Sequence, residues 1–513
     1  MKPESIKSDL RAALVVFLVA LPLCLGIALA SGASAFSGIV AGVVGGIVVG
    51  ALSGSRLSVS GPAAGLTIVV LDAIQSMGSF EAFLTALVLS GVLQIVFGIA
   101  RAGVLASYFP TSVVKGMLAA IGLILIFKQI PHALGYDFDY SGAVNLPEKD
   151  GHNTFSDIGY ALLDPEPLAL AASILGLSAM ILWDSRKEAL FKLVPGALIA
   201  VLLGVSLQEL AILFAPQYAL ETVHLVNLPT GLLTGEASNL FVSPDWSAFQ
   251  KPELYQVAFT LALIASIESL LSVEAIDKLD PKHEITPGNR ELIAQGSGNL
   301  ISGLLGGIPI TAVIVRSSAN LLAGAQSKMA TILHGLFIVV AVAFLPVVIN
   351  LIPLASLAAI LLVVGFKLTR PAIILEQLRK TPNQYIPFLV TLVAIVFSNL
   401  LTGLAIGLAV GFVFILRSNL KKSITVEQDG SNYTIRLHDN VSFINKSLVR
   451  SHLAKVKPGS RVIFDGTAAV LIDDDIIDTI DSFRETAGLR NIEVEIKTGA
   501  NSIHPYFKSG AIE

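Results

Sequence analysis

One carboxyl group stands out because it lies inside an apolar stretch. In IASIESLLSVEAIDKLD, Glu268 sits among apolar residues, and Ser272 follows four residues later on the same helix face. An ionisable side chain at such a depth is costly and usually faces a polar cavity. Its oxygen atoms, with the nearby hydroxyl, could carry a proton or ligate sodium. A structural ion pair between Glu268 and Arg316 is the alternative that these residues leave open.

Two polar interruptions occur at corresponding places in the two halves of the chain. They read RLSVSGPAAGLTIVV (56–70) and GGIPITAVIVRSSANLLAGA (306–325). Each has an extended stretch with glycine and proline and then a short apolar helix, which Pro62 and Pro309 predict to begin close to them. Taken singly, either interruption would be a kink in an ordinary helix. As a matched pair they favour the central site of a membrane transporter.

The chemistry of such a site follows from the ends of its helices. A helix that begins in the middle of a membrane presents unpaired amides and the positive end of its dipole, and both suit a bound anion. Arg316 is predicted about two turns into the second short helix, where it could reach the same cavity. Attraction of an anion and structural pairing are equally compatible with this arginine.

The composition places these features in a membrane. Hydrophobic residues make up 54% of the 513 residues and charged residues only 14%, against about a quarter in soluble domains. Apolar runs between Leu14 and Leu416 are enough for about fourteen crossings at roughly 20 residues each, some of them short. A net charge of −4 without a basic stripe speaks against nucleic acid as a partner. Cys24, the single cysteine, excludes an internal disulfide and a cysteine-based metal cage.

The distribution of lysine and arginine predicts the orientation. Basic clusters precede the first span, separate spans six and seven, separate spans twelve and thirteen, and follow the last span (2–11, 186–192, 367–380 and 417–422). An alternating count of crossings places all four on one face and the acidic loop 135–165 on the other. Under the positive-inside rule, both termini are therefore expected in the cytoplasm.

The character of the chain changes near Ser423. ITVEQDGSNYTIRL predicts two strands around an Asp429-Gly430 turn, and RVIFDGT predicts a buried strand. DDDIIDTIDSFRETAG predicts an amphipathic helix and NIEVEIK a further strand. We therefore expect a membrane domain at 1–420 and a small cytosolic α/β domain at 424–513.

Taken together, the motifs resemble the SulP family of anion transporters, which are relatives of the solute-carrier anion exchangers. The resemblance covers nearly the whole chain and rests on LPLCLGIALASGA, SGPAAGLT, SIESLLS, PKHEITPGNRELIAQGSGNLISGLLGG and IPITAVIVRSSANLLAGA. It implies an all-α polytopic fold of seven plus seven inverted repeats, in which spans 1–4 and 8–11 form a core and spans 5–7 and 12–14 form a gate. The tail resembles a STAS domain that is shorter than the complete form.

The resemblance also implies roles for individual residues. The anion would lie between the starts of the two short helices, and Glu268 would be the acid of the family. Glu268 with Ser272 is similar to the Asp and Thr of cyanobacterial sodium–bicarbonate symporters, which makes these two a possible sodium site. The implied anion-binding residues are Ser60, Gly61, Pro62, Ala63, Thr311, Ala312, Val313, Ile314 and Arg316.

These features predict a secondary transporter in the inner membrane of a cell, carrying a small inorganic anion such as bicarbonate or sulfate together with sodium or a proton. The family implies a homodimer, and no cofactor is expected. A C4-dicarboxylate carrier on the same scaffold and an uncoupled exchanger or channel are the alternatives. An enzyme is disfavoured because the sequence has no nucleophile–base pair, metal-ligand cluster or cofactor motif.

Overall fold

The computed structural model describes residues 3–104, 110–137, 154–186, 194–229, 241–282, 284–398, 400–442, 445–497 and 506. The chain divides into two compact units. One consists of Met1–Lys380 with Phe388–Leu408, and the other of Thr381–Pro387 with Ala409–Glu513. Parts of the predicted loop 135–165 and of the basic cluster 186–192 lie outside the described residues, as do residues 1–2 of the first cluster.

Fourteen mainly helical segments precede the tail in the described residues, in agreement with the all-α fold of seven plus seven segments that the resemblance implies. The first seven are α1 (Pro3–Ala30), α2 (Ala35–Val44, continued by a π-helical turn Gly45–Val49 and by Gly50–Leu52), strand β1 (Ser60–Gly61) with α3 (Thr67–Met77), α4 (Phe80–Ile99), α5 (Thr111–Ala133), α7 (Pro167–Ser185, preceded by α6, Thr154–Leu163) and α8 (Gly196–Phe214).

The second seven follow the same plan. They are α9 (Pro252–Leu279), α10 (Gly288–Leu304), strand β2 (Thr311–Ala312) with α11 (Ile314–Leu322), α12 (Met329–Phe344), α13 (Leu354–Leu368, followed by α14, Pro371–Leu378), α15 (Pro382–Phe397) and α16 (Leu400–Lys422). In each set the third segment is the interrupted one. The two interruptions pair with each other in antiparallel fashion, as inverted repeats require.

The segments differ in their ability to cross a membrane. Seven of the described helices are long and apolar enough to do so, and the pair α6 and α7, bent by 109°, would add an eighth. The others are shorter or, like α10, carry buried polar residues. Helix α6 corrects the expectation of a continuous loop at 135–165. It is a short amphipathic helix whose Leu162 and Leu163 stay exposed, so it lacks the long apolar run that marks a span.

Glycines bring two pairs of helices into close contact, α4 with α10 and α5 with α13. Helix α10 packs on α4 where a Cβ on Gly91 would lie 2.4 Å from the Leu300 nitrogen and 2.6 Å from the Gly296 oxygen. Helices α5 and α13 meet in the same way at Gly122 and Gly365. Small residues permit such backbone approach between helices in membranes. The glycine-rich stretch of α10 therefore packs closely against α4.

We expect Gly91→Ala to destabilise the fold by about 1–3 kcal/mol, since the added methyl group cannot fit between two backbones without moving them. Thermal unfolding of the purified protein in detergent measures the effect. Gly159→Ala on α6 is the control, because a Cβ there meets no atom within 4 Å. The control should be neutral or slightly stabilising. Equal melting temperatures for the two variants would contradict the close packing of α4 on α10.

His132, Asp137 and His224 form a hydrogen-bonded cluster, here called the histidine bridge, that links the end of α5 to the loop after α8. The buried Asp137 carboxylate accepts a hydrogen bond from His132 Nδ1 at 2.8 Å and from His224 Nδ1 at 2.6 Å. Burial favours neutral Asp137, but these two hydrogen bonds outweigh it and lower the pKa of the carboxyl group. The hydrogen bond to Asp137 raises the pKa of His224 against the effect of burial, with Glu166 and Glu221 adding to the rise.

The histidine bridge should make stability depend on pH. The contribution of His224 is complete below its unfolded pKa of about 6.5 and is lost as the pH rises through the raised folded value. That of Asp137 is complete above its unfolded pKa of about 3.9 and is lost as the pH falls through the lowered one. We expect Asp137→Asn to lower the melting temperature most between about pH 4 and 6.5, and less in alkali. The exposed Asp164→Asn is the control, and a pH-independent difference between Asp137→Asn and wild type would refute this role.

The second unit contains the predicted α/β tail. Its strands are β3 (Ile424–Asp429), β4 (Asn432–Val441), β5 (Arg461–Ile472) and β6 (Glu493–Lys497), and its helices are α17 (Lys446–Leu453) and α18 (Asp474–Ala487). The sheet order is β3-β4-β5-β6, with β3 and β4 antiparallel and the other neighbours parallel. All four strands and α18 were predicted, whereas α17 was not.

A core of its own supports this tail. Phe464 of β5 packs edge-to-face on Phe483 of α18 with ring centroids 6.3 Å apart, and Ile476 and Ile480 are fully buried beside them. Asp473 begins α18 by accepting a hydrogen bond from the Asp475 nitrogen at 3.1 Å. This acidic cluster therefore caps a helix, as its position before an amphipathic pattern indicates.

Candidate functional site

The two interrupted segments cross each other inside the first unit. Ser60 pairs with Ala312 and Gly61 with Thr311 in the short antiparallel ladder of β1 and β2. Next to the ladder, the Val313 nitrogen donates to the Val59 oxygen at 2.9 Å. The structure thus brings together four of the residues singled out in the sequence. Ser60, Gly61, Thr311 and Ala312 are all buried.

Both short helices begin immediately after this crossing. A 3-10 turn (Ala64–Leu66) leads into α3, and α11 begins at Ile314. The prolines therefore do not start the helices. Pro62 lies between strand β1 and the 3-10 turn, and Pro309 precedes strand β2, so both belong to the extended segments.

In α11 the first bonded amide is that of Ser317, which donates to the Val313 oxygen, so the amides before it have no acceptor within the helix. On the other side the Leu66 and Thr67 nitrogens already bond the Ala63 and Ala64 oxygens, so the free amides lie at the start of the 3-10 turn. Both ends carry the positive ends of their helix dipoles.

Glu268 lies against the entry to α3. A Cβ on Gly65 would clash with Oε1 of Glu268, so the carboxyl group of α9 touches the 3-10 turn that leads into α3. Among the described residues, no lysine, arginine or histidine lies within 4.0 Å of this carboxylate. Ser269, its neighbour, accepts a hydrogen bond from the Ala312 nitrogen at 3.2 Å, which ties α9 to β2. Ser272 is buried one helical turn further along.

Arg316 is fully buried and contacts the crossing at Gly61 and Pro62. Its Nη1 occupies the place that a Cβ on Gly61 would take, and its Nη2 donates to the Pro62 oxygen at 3.2 Å. Its Nε and Nη1 have no hydrogen-bond partner among the described residues. Arg316 is the third residue of α11 and so lies in the first turn, not two turns in as expected.

The alternative of an ion pair between Glu268 and Arg316 is therefore wrong, because the two side chains are not paired among the described residues. The carboxylate turns to Gly65 at the start of α3, while the guanidinium turns to Gly61 and Pro62. A buried charge without a partner is costly unless something else compensates it. The site thus offers a fully buried guanidinium and a half-buried carboxyl group beside the β1–β2 ladder, neither with an ion-pair partner among the described residues. An anion beside Arg316 and a cation beside Glu268 would each supply the missing partner.

Two other implied anion-binding residues are less enclosed. Val313 is half-buried, and Ile314, the first residue of α11, is exposed. On the opposite segment, Pro62 and Ala63 are buried between β1 and the 3-10 turn. The first turn of α11 is therefore the more open side of the crossing.

Several polar residues that hold the crossing were not singled out from the sequence. Asn299 of α10 brackets Ile310, accepting from its nitrogen at 2.6 Å and donating to its oxygen at 3.0 Å. Ser317 of α11 accepts from the Val59 nitrogen at 2.9 Å, and Asn320 donates to the Leu57 oxygen at 2.9 Å. The amide and carboxyl side chains of α10 recur every four residues within a glycine-rich stretch, and that spacing was an available signal.

A comparison with known proteins identifies the family of this chain. The model of the sulfate permease family matches residues 6–391. The chain belongs to the sulfate permease family. YvdB of Bacillus subtilis (strain 168) is 30% identical over 416 residues, which are 81% of this chain and 74% of that protein. The family assignment confirms the resemblance drawn from the motifs and establishes a multi-pass membrane protein.

More distant relatives and solved structures agree with it. The bicarbonate transporter BicA of Picosynechococcus sp. (strain ATCC 27264 / PCC 7002 / PR-6) is 24% identical over 448 residues, covering 85% of this chain and 75% of that protein. The structure of SLC26A9 aligns with a TM-score of 0.79 at 17% identity, over 100% of this chain and 88% of that chain. The transmembrane domain of a cyanobacterial BicA aligns with a TM-score of 0.65 at 22% identity, over 80% and 98%. At these identities the two structures bear on the fold alone.

Proposed function

We propose that the chain is a secondary transporter that carries bicarbonate or sulfate together with sodium or a proton. The observation that carries this proposal is that a carboxyl group, Glu268, and a fully buried guanidinium, Arg316, lie at one crossing of broken helices without an ion-pair partner among the described residues. The names of the bicarbonate transporter BicA and of the chloroplastic sulfate transporter 4.1 of Arabidopsis thaliana supply the two anions.

In this proposal the anion binds between the first turns of α3 and α11. The amides there and the Arg316 guanidinium attract it electrostatically. The binding residues are Ser60, Gly61, Pro62, Ala63, Thr311, Ala312, Val313, Ile314 and Arg316. The coupling cation binds at Glu268 and Ser272, where sodium or a proton lowers the cost of enclosing a negative charge.

Transport would then proceed by alternating access. Spans 1–4 and 8–11 form a core that carries the site, and spans 5–7 and 12–14 form the gate. Close glycine contacts within each group, Gly91 with Gly296 and Gly122 with Gly365, support the grouping because they favour rigid packing. We place both termini in the cytoplasm, the protein in an inner membrane as a homodimer, and the tail 424–513 as a short STAS-like domain.

Uptake of labelled anion into proteoliposomes tests the proposal. Bicarbonate and sulfate are supplied separately, and sodium and proton gradients are imposed one at a time. We expect accumulation of one anion that requires one of the two gradients. Competition by fumarate would indicate the dicarboxylate alternative. Gradient-independent exchange, or currents far above carrier rates, would show an uncoupled exchanger or channel and overturn the coupling.

A further inference from the structure

A buried chain of hydrogen bonds runs along α10 to the crossing. The Gln295 amide nitrogen donates to Ser60 Oγ at 2.8 Å and to Glu291 Oε1, also at 2.8 Å. The other carboxylate oxygen of Glu291 accepts from Ser53 Oγ at 2.5 Å. All four side chains are buried. The two ends of the segment from Ser53 to Ser60 are thereby attached to one face of α10.

Glu291 determines which way the amide of Gln295 points. The Glu291 oxygen that faces Gln295 carries no hydrogen when the carboxyl group is ionised or when its proton lies on the oxygen beside Ser53, so it only accepts, and the nitrogen of Gln295 must face it. The opposite orientation would set two acceptors against each other. Gln295 Oε1 has no partner among the described residues, so the amide is held from its nitrogen side alone. Glu291 therefore differs from Glu268, because it is engaged by donors within its own network.

The fixed amide in turn sets the direction of the Ser60 hydroxyl. Because Ser60 Oγ accepts from Gln295, its single hydrogen is free to donate to another group. Within the described residues, that hydrogen has no acceptor. Ser60 stands in the ladder beside the start of α3, where an anion would find a preoriented donor. A hydrogen bond to a charged acceptor is stronger than one between neutral groups.

We propose that Gln295 is a positioning residue. Held by Glu291, its amide donates to Ser60 Oγ and so leaves the hydroxyl hydrogen of Ser60 available to donate to the transported anion. This inference rests on the proposed anion site and adds residues that act without touching the anion. It predicts that Gln295 and Ser60 work as one unit, so that removing either removes the same interaction.

A double-mutant cycle tests this in proteoliposomes, with bicarbonate and sulfate as the probes. Gln295→Met and Ser60→Ala should each raise KM for the anion about tenfold, the loss of one charge-assisted hydrogen bond, and leave the maximal rate within about threefold. The double variant should be no worse than the worse single variant. The matched control is Gln208→Met, which removes a buried amide of α8 bonded to the Leu220 backbone and not to Ser60.

Each outcome decides for or against the positioning role. If the two KM increases multiply in the double variant, or if Gln208→Met raises KM as much as Gln295→Met does, Gln295 has only a structural role and the inference is overturned. If Gln295→Met does not fold, Glu291→Gln replaces it, and about a threefold rise in KM is expected because the amide of Gln295 can then turn over. Unchanged KM in that variant overturns the inference. A wild-type protein that transports neither anion overturns the proposed function as well, whereas additive effects in an active transporter refute the inference alone.

Discussion

Glu268→Gln is expected to abolish uptake driven by the coupling gradient while anion binding and folding persist. The amide keeps the size of the side chain and its place against Gly65, but it neither ionises nor carries a proton. The loss should exceed about tenfold, because the variant can no longer hold the cation that offsets the anion's charge inside the site, and each 1.4 kcal/mol of lost attraction is a factor of ten. Labelled-anion accumulation with and without the gradient measures it.

The stability of the same variant should not fall. Removing a carboxylate that lacks a basic partner removes a burial cost and breaks no ion pair. Glu274→Gln is the control, because this glutamate lies on the same helix, is exposed and pairs with Lys278 at 2.6 Å. Uptake by the control should match wild type. Should Glu268→Gln keep the sodium and pH dependence of wild type, the coupling role of Glu268 is wrong.

Local signals in the sequence were enough to predict which segments form the site. Glycine, proline and polar residues inside apolar runs are unusual on any helix, so the interruptions at 56–70 and 306–325 stand out without knowledge of the fold. The same is true of Glu268 in its apolar stretch. The alternating pattern around Asp429-Gly430 likewise predicted strands β3 and β4 correctly.

Partners distant in sequence were beyond such signals. The helix starts were displaced from Pro62 and Pro309 because β1 pairs with β2, about 250 residues away, and no local rule anticipates that ladder. The contact of Gln295 with Ser60 spans 235 residues for the same reason. The interpretation of Glu268 and Arg316 as an ion pair was wrong because the position of a residue along a helix does not determine the direction of its long side chain.

The field of Arg316 should account for most of the anion affinity. Its charge lies in a buried, low-dielectric place beside the crossing, where electrostatic attraction is much stronger than in water. We expect Arg316→Met to raise the dissociation constant for the anion at least about a hundredfold, equivalent to roughly 3 kcal/mol. Arg316→Lys, which keeps the charge but not the planar fork, should recover part of the loss. Anion-dependent shifts in melting temperature and KM for uptake are the measurements.

Affinity and stability should move in different directions, and this separates anion attraction from structural support. Arg316 has no counter-ion among the described residues, and its single hydrogen bond goes to the Pro62 oxygen. Replacing an uncompensated buried charge by an apolar chain of similar length is often neutral or stabilising. Arg290→Met, which removes a bond to the Leu52 oxygen at 3.0 Å and lies on an exposed surface, is the matched control and should leave affinity unchanged. A strongly destabilised Arg316→Met protein with normal anion affinity would mean that the arginine holds the crossing together, and that the amides of α3 and α11 bind the anion without it.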